Sequence, residues 1–502
     1  MIKSNGGIIG PDNVTTGGAF GTASGVFKLS EVTNLIKESK WPTEGPPTTV
    51  SNSARFNDGS SDNLSRTQES SANSQIFTYS TWVKRSGLTG VKQEMASGGS
   101  ASTDFDMFYF DTSERLSYYS KTSNSENLDL ATNRVFRDLS AWYHIVLSVD
   151  TTQGTASNRV KLYVNGVLET SYAVGTYPSV NTNLFLNKAS QSQRIGRQAY
   201  SAVDFFDGYM AETVMIDGSQ LAPTSFGEEN SQTGIWVPKS VTGLTFGTNG
   251  FYLPFTNSGA LGEDFSGNDN DFTVNNLTSL DQSIDTPNNN FAIWNNILGT
   301  QIPDTFSDGN LVLTMGQNAW RSTFSTIAAS SGKFYAEVKW VTGSEFTAGF
   351  GNAQSYSVDQ DLNDLVADPG GDGYVSVIYK NGALYENGSN TSTGYSTYSS
   401  GDIIMLAMDL DNYKLYLGVN GTWGKSGDPA NNSNGVAIPS ANQGDFFNFA
   451  VSTYGNTQVS GNFGSPAFAI SSGNADGNGF GNFEYAVPSG YLSLCTNNLN
   501  SI

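Results

Sequence analysis

The strongest pattern along the chain is a period of two. In Phe77-Thr78-Tyr79-Ser80-Thr81-Trp82-Val83, aromatic or apolar residues alternate with small polar ones, and Trp142-Tyr143-His144-Ile145-Val146-Leu147-Ser148-Val149 reads as a central strand. Val160, Leu162 and Val164 face one way while Lys161 and Tyr163 face the other. Asn165-Gly166 then supplies the pair that a type I′ hairpin turn requires, because both central positions take positive φ. Ile195-Gly196-Arg197 and the run from Phe206 to Ile216 continue the series, so residues 51–240 are predicted to form a β-sandwich.

A second β-region is predicted over 310–502. Phe334 to Trp340 alternates, Ile403-Ile404-Met405-Leu406-Ala407-Met408 reads as a buried strand, and Leu415, Leu417 and Val419 run inward before Asn420-Gly421. Lys161-Leu162-Tyr163-Val164-Asn165-Gly166 is echoed by Lys414-Leu415-Tyr416-Leu417-Gly418-Val419-Asn420-Gly421, as expected of two sandwiches with a similar closing hairpin. Between them, residues 241–309 are dominated by turn chemistry (Asp264-Phe265-Ser266-Gly267-Asn268-Asp269-Asn270-Asp271, then Asp285-Thr286-Pro287-Asn288) and read as a connector packed on its neighbours. Residues 1–50 differ again. A glycine-rich start precedes a short helical signal, with Ser30 as N-cap and Leu29, Val32, Leu35 and Ile36 on one face, which Trp41-Pro42 stops. Such a segment buries no core alone, so it is expected to be an attachment segment that orders against partner chains. The predicted class is all-β: two tandem sandwiches behind a short helical attachment segment.

Composition narrows the function. With 25 Lys+Arg against 46 Asp+Glu the net charge is −21, which opposes binding to nucleic acid and to anionic membrane surfaces. No run approaches the 18 apolar residues of a membrane span, and the N-terminus lacks the apolar core of a signal peptide, so membrane insertion is not expected and assembly in a cytoplasm is. The single cysteine, Cys495, excludes an intrachain disulfide and multi-cysteine metal sites, and the single histidine, His144, excludes histidine-pair sites.

The same inventory opposes catalysis. A nucleophile–base pair would need His144, which lies inside a predicted strand, and no phosphate-binding loop motif occurs. The chain is therefore read as not an enzyme, although abundant carboxylates leave a two-carboxylate glycosidase arithmetically open. Calcium is the one cofactor left open. Asp264, Asp269 and Asp271 share one Gly/Asn-rich loop, and Asp359, Asp361 and Asp364 crowd another, so carboxylates and loop carbonyls could supply the oxygens a calcium ion takes. Glycan binding suits the loops best, since aromatic faces stack on sugars while amides and carboxylates bond their hydroxyls. The candidates are Tyr118, Tyr119, Tyr395, Tyr398 and Trp423.

Three resemblances sharpen this. The strand Phe77 to Val83, Trp142-Tyr143-His144-Ile145-Val146, Leu162-Tyr163-Val164-Asn165-Gly166 and Phe206-Asp207-Gly208-Tyr209-Met210-Ala211-Glu212 resemble a laminin-G-type, concanavalin A-like module. Gly332-Lys333-Phe334-Tyr335-Ala336-Glu337-Val338, the stretch from Gly401-Asp402-Ile403-Ile404 to Asn420-Gly421, and Asn462-Phe463-Gly464 resemble a SPRY domain. The order of parts, with Asp285-Thr286-Pro287-Asn288-Asn289-Asn290-Phe291 and the ending Pro488 to Leu499, is similar to tail-fibre and other virion structural proteins of tailed phages. That resemblance implies a protein on the virion surface, a tail fibre or tail-associated adsorption protein, joined to other virion proteins through residues 1–50. It implies a host cell-surface glycan or receptor as ligand and a homo-oligomer, with a trimer favoured. The alternatives it leaves are a capsid-decorating or head fibre, a polysaccharide-degrading tailspike and, third, a secreted bacterial adhesin.

Overall fold

A computed structural model of the chain describes residues 50–68, 73–88, 90–230, 233–297, 304–352 and 374–499, together with the backbone of a ladder pairing Gly7–Gly10 antiparallel with Gly25–Lys28. The helix expected after Ser30 and the acidic loop holding Asp359, Asp361 and Asp364 lie outside the described residues.

The described chain is all-β. In the first sandwich, the first sheet runs Val167–Leu168, Val160–Val164, Trp142–Asp150, Ile76–Arg85, Gly208–Asp217, Ser53–Phe56, Gln282–Ser283 from edge to edge, with Phe251–Leu253 also paired to Gly208–Asp217. The second sheet runs Tyr172–Thr176, Ser125–Val135, Arg115–Thr122, Asp104–Phe110, Gln93–Ala101, Ser192–Ile195, Asn63–Thr67, Thr273–Asn275. Phe77, Tyr79, Phe108, Phe110, Ile145 and Leu147 fill the space between the sheets. Residues 241–309, expected as a connector, contribute strands to both sheets of this sandwich and Thr305–Ser307 to the next.

The second sandwich pairs a sheet built around Lys333–Thr342, Ile403–Asp409 and Thr457–Asn462 with one built around Glu345–Asn352, Phe447–Tyr454 and Val375–Tyr379. Its outer side is strapped by the C-terminal segment. Fully buried Glu337 accepts the Tyr485 N–H (2.8 Å) and the Tyr335 hydroxyl (2.9 Å) on Oε1, and the Glu484 N–H (3.0 Å) and the Asn462 amide (3.1 Å) on Oε2.

The repeated hairpins are structurally equivalent. Asn165 and Gly166 take φ of 47° and 79°, and Asn420 and Gly421 take 46° and 81°. In each, the asparagine grips the same residue across the hairpin twice. Asn165 Oδ1 accepts the His144 N–H while its own N–H bonds the His144 carbonyl, and Asn420 does the same to Ile403.

The sandwiches meet in a polar, sealed joint. Lys84 and Asp285 form an ion pair at 2.8 Å with side chains 0% and 1% exposed, and Trp142 Nε1 donates to the other Asp285 oxygen at 3.0 Å. Asn290 accepts from Lys84 and donates to the Ser140 carbonyl, while the amides of Asn296 and Asn310 both bond the Ser86 carbonyl. Gly309, at φ 68°, accepts the Tyr209 hydroxyl on its carbonyl; a Cβ there would lie 2.0 Å from the hydroxyl oxygen, so a side chain is excluded.

Candidate ligand-binding face

A serine–histidine pair exists in the fold, and its hydrogen bonds oppose the roles of nucleophile and base. His144 Nε2 lies 2.9 Å from Ser80 Oγ, and Trp236 Nε1 lies 2.9 Å from His144 Nδ1. Indole N–H only donates, so Nδ1 is the acceptor and Nε2 carries the hydrogen. That tautomer donates to Ser80 and cannot take its proton. Both residues are buried, His144 is stacked at 4.7 Å on Trp82, and burial pushes its pKa down to about 3. The unfolded chain therefore takes up this proton below about pH 6.5 while the folded chain refuses it, so the stability His144 contributes is lost as pH falls from there toward 3. In an NMR titration the imidazole is expected to stay in the neutral Nε2–H form below about pH 5; a midpoint near the ordinary value would show that water reaches the site.

The predicted aromatic residues are scattered, and most belong to the cores. Tyr118 is fully buried between the sheets of the first sandwich, with its hydroxyl on Asp106 Oδ2 at 2.8 Å. Tyr398, 5% exposed, donates to the carbonyls of Phe346 and Ile378, and Tyr395 packs in the same second core. These three are core residues and face no ligand. Trp423 is half-buried against Tyr335 and Tyr416 on the outer side of the sheet built around Lys333–Thr342 and Ile403–Asp409. Tyr119, next to Tyr118 but on the opposite side of its strand, lies on the outer face of the second sheet.

Asp264 is likewise committed. Its carboxylate accepts the N–H groups of Tyr252 (2.8 Å), Ser266 (2.8 Å) and Asn270 (2.9 Å) and the Ser266 hydroxyl (2.8 Å), which fills its four lone-pair positions. It shapes a turn instead of holding a cation. Asp271 accepts the Asp264 N–H, and Asp269 is exposed at φ 57°. Among the described residues no three His, Cys, Asp or Glu side chains are grouped to hold a metal.

Around Tyr119 the structure brings several polar and aromatic side chains together. Strand register places Ser65, Arg194, Ser97, Met107, Tyr119 and Asp129 in one line across the outer face of the second sheet, and Glu94, Tyr109 and Ser117 occupy the neighbouring line. The Phe105 ring lies 5.9 Å from Tyr119 and 4.6 Å from Tyr200, with Met107 and Tyr109 in the same cluster. Lys92 Nζ stands 5.1 Å from the Tyr109 ring, and Gln198 reaches both Met107 Sδ and Asp204 Oδ2. Burial raises the pKa of Asp129 and Asp204; Glu126 adds to the first, while Lys92 opposes both shifts. Glu94 is fully buried beneath this face, and burial, with the charges of Asp204 and Asp106, holds its carboxyl well above the usual range. Tyr119 and Tyr200, half-buried over the buried Phe105, Met107 and Tyr109, stand beside carboxylates, an amide and one ammonium, a surface that can stack a sugar ring and bond its hydroxyls.

Sequence reasoning reached Tyr119 and missed Phe105, Tyr109, Tyr200, Lys92 and Glu94. The available signal was Asp104 to Phe110, a strand apolar on both faces. Phe108 and Phe110 go to the core between the sheets while Phe105, Met107 and Tyr109 are buried in a separate cluster on the other side of the strand, which a merely solvated face does not require. A cleft of about 90 Å³ at the joint, lined by Asp138, Ser140, Trp294 and Asn295 among others, is less suited, because the Asn296 and Asn310 amides on its wall already bond Ser86.

Residues 58–220 match the family model for the concanavalin A-like lectin/glucanases superfamily, of laminin-G type. No curated protein matches the chain. Among solved structures, the SPRY domain of human HERC1 is similar at 19% identity, over 30% of this chain and 87% of that one, with a TM-score of 0.23. The heptameric SAP-like pentraxin of Limulus polyphemus matches at 16% identity over 35% and 80% of the two chains, TM-score 0.26. Domains LG4–5 of the mouse laminin α1 chain match at 9% identity over 83% and 89%, TM-score 0.28.

Proposed function

We propose that this protein is a non-enzymatic adsorption protein on the surface of a tailed-phage virion, a tail fibre or tail-associated component, and that its first sandwich binds a cell-surface glycan through Tyr119 and Tyr200, which the buried Phe105 supports from beneath. The observation that carries the reading is that aromatic face, with carboxylates and an amide beside the rings. The lectin-type family model over residues 58–220 supports binding as the role of the same sandwich. Placement on a virion, attachment through residues 1–50 and a homotrimer rest on the sequence resemblance alone. Weak sites on several copies of such an oligomer would reinforce one another.

Glu94 beside Asp204 is the arrangement that favours the polysaccharide-degrading alternative, since such enzymes use carboxyl pairs. Glu94 is fully buried and Asp204 is engaged by Gln198, so we propose binding without turnover.

The test is to incubate the recombinant chain with purified bacterial surface polysaccharide, measuring binding, reducing ends and, by sedimentation, the oligomer. Retention on the polysaccharide is expected, falling by about tenfold or more in Tyr119→Ala/Tyr200→Ala as stacking is lost, with no reducing ends. Unchanged binding in that variant would remove the aromatic face as the site, and steady release of reducing ends would replace adsorption with hydrolysis.

A further inference from the structure

The outer face of the second sheet ends in unlike charges. Asp129 closes the line of residues on one side of Tyr119, and Arg194 stands on the other side beyond Met107 and Ser97. Arg197 joins Arg194 there, its Nε bonding Asn63 Oδ1 at 3.2 Å. Both guanidiniums are half-buried, and among the described residues neither makes an ion pair. Among the described residues the Arg194 guanidinium bonds the neighbouring Gln193 carbonyl, and its buried Nε has no partner there. Burial lowers the pKa of both, and for Arg194 the adjacent charge of Arg197 lowers it further, with no carboxylate opposing either shift.

That arrangement is unexpected in a chain with 46 acidic and 25 basic residues. Two adjacent, partly desolvated cations repel, and the cost is relieved when an anion sits between them. Guanidinium forks match the oxygens of carboxylates and sulfates in paired hydrogen bonds. Three strand spacings separate Arg194 from Tyr119, about 14 Å at roughly 4.8 Å each; Met107 and Ser97 between them are buried beneath Arg197 and Gln198, so a ligand reaching both ends runs over that segment, which suits an oligosaccharide better than a single sugar.

We propose that Arg194 and Arg197 form the anion-binding end of this face, so that its ligand is an acidic oligosaccharide with one ring on Tyr119 and Tyr200 and a carboxylate or sulfate on the two guanidiniums. The proposal rests on the glycan-binding reading above and names the class of glycan.

The test compares three oligosaccharides of equal length by calorimetry on the full chain: an oligogalacturonate, a sulfated heparin fragment and an uncharged cello-oligosaccharide. One acidic probe is expected to bind about tenfold or more tighter than the uncharged one, the size of one charge-assisted hydrogen bond, with the preference weakening as salt rises. Which acidic probe wins separates carboxylate from sulfate recognition. Arg194→Gln/Arg197→Gln should erase the preference without lowering the thermal midpoint, because it removes two unpaired charges; Tyr119→Ala should weaken every probe alike. An uncharged probe bound as tightly as the acidic ones, or a preference that survives the glutamine variant, would overturn the acidic class and leave glycan binding standing. Failure of all three probes to bind would overturn both.

Discussion

Asp285→Ala is expected to destabilise the protein by about 3–5 kcal/mol, the cost of leaving one member of a buried ion pair without its partner. Lys84 is fully buried, and without Asp285 its ammonium keeps the neutral oxygens of Asn290 and Phe291 and the Tyr209 ring at 5.5 Å, with no opposite charge in contact. The Trp142 indole N–H loses its acceptor in the same step. The comparison that decides the magnitude is Lys380 with Glu345, 33% and 30% exposed, where water replaces a lost partner and removal should cost about 0–1 kcal/mol. Because Asp285 bonds residues of the first sandwich while Asn290, five positions on, also holds Thr496 of the second, the loss should loosen the two bodies from each other. Differential scanning calorimetry checks both points. A lower midpoint is expected, with the two sandwiches melting at separate temperatures, and Lys84→Met/Asp285→Leu should recover much of the loss because no buried charge is left unpaired. A change below about 1 kcal/mol for Asp285→Ala would mean that water reaches Lys84 and the joint is not sealed.

What the sequence made legible was local. Asn165-Gly166 and Asn420-Gly421 specify their turns through the backbone angles those residues tolerate, and the strands flanking them follow from alternation. The joint was not legible, because its meaning lies in partners far along the chain. Asp285-Thr286-Pro287-Asn288-Asn289-Asn290 reads as turn chemistry, yet Asp285 reaches Lys84 and Trp142, Asn288 accepts the Val50 N–H, and Asn289 accepts the Asn497 N–H. Tyr395 and Tyr398 misled for a related reason. A Ser/Thr-rich loop has the composition of an exposed one, but this loop turns inward and plugs the core between Phe346 and Ile378. Asp264 read as a possible ligand because acidic loops bind calcium, whereas three nearby backbone N–H groups and the Ser266 hydroxyl consume its acceptor capacity.

Tyr118 and Tyr119, adjacent in sequence, should respond oppositely to the same substitution. Tyr118→Ala removes a fully buried ring that packs edge-on against Phe108 at 5.9 Å, a loss of about 3–5 kcal/mol for an aromatic side chain in a closed core. It also takes a donor from Asp106, whose Oδ2 accepts the N–H groups of Phe185 and Leu186 besides the Tyr118 hydroxyl. Burial already raises the Asp106 pKa to about 6. The folded chain therefore keeps a proton that the unfolded chain releases above about 3.9, and this group lowers stability progressively as pH rises from there to about 6, after which its effect is constant. Tyr118→Phe isolates that term. Without the hydroxyl the folded carboxyl is less acidic still, so the decline should extend to higher pH, at a cost of about 1–3 kcal/mol for the donor lost. Tyr119→Ala removes a half-buried ring from the outer face, so its stability change should stay within about 1 kcal/mol while binding of the polysaccharide falls. Urea titrations at several pH values, run beside the binding assay, separate the two positions. Equal destabilisation by both alanines would mean that the outer face is a second core closed to ligand, and the glycan-binding proposal would fall with it.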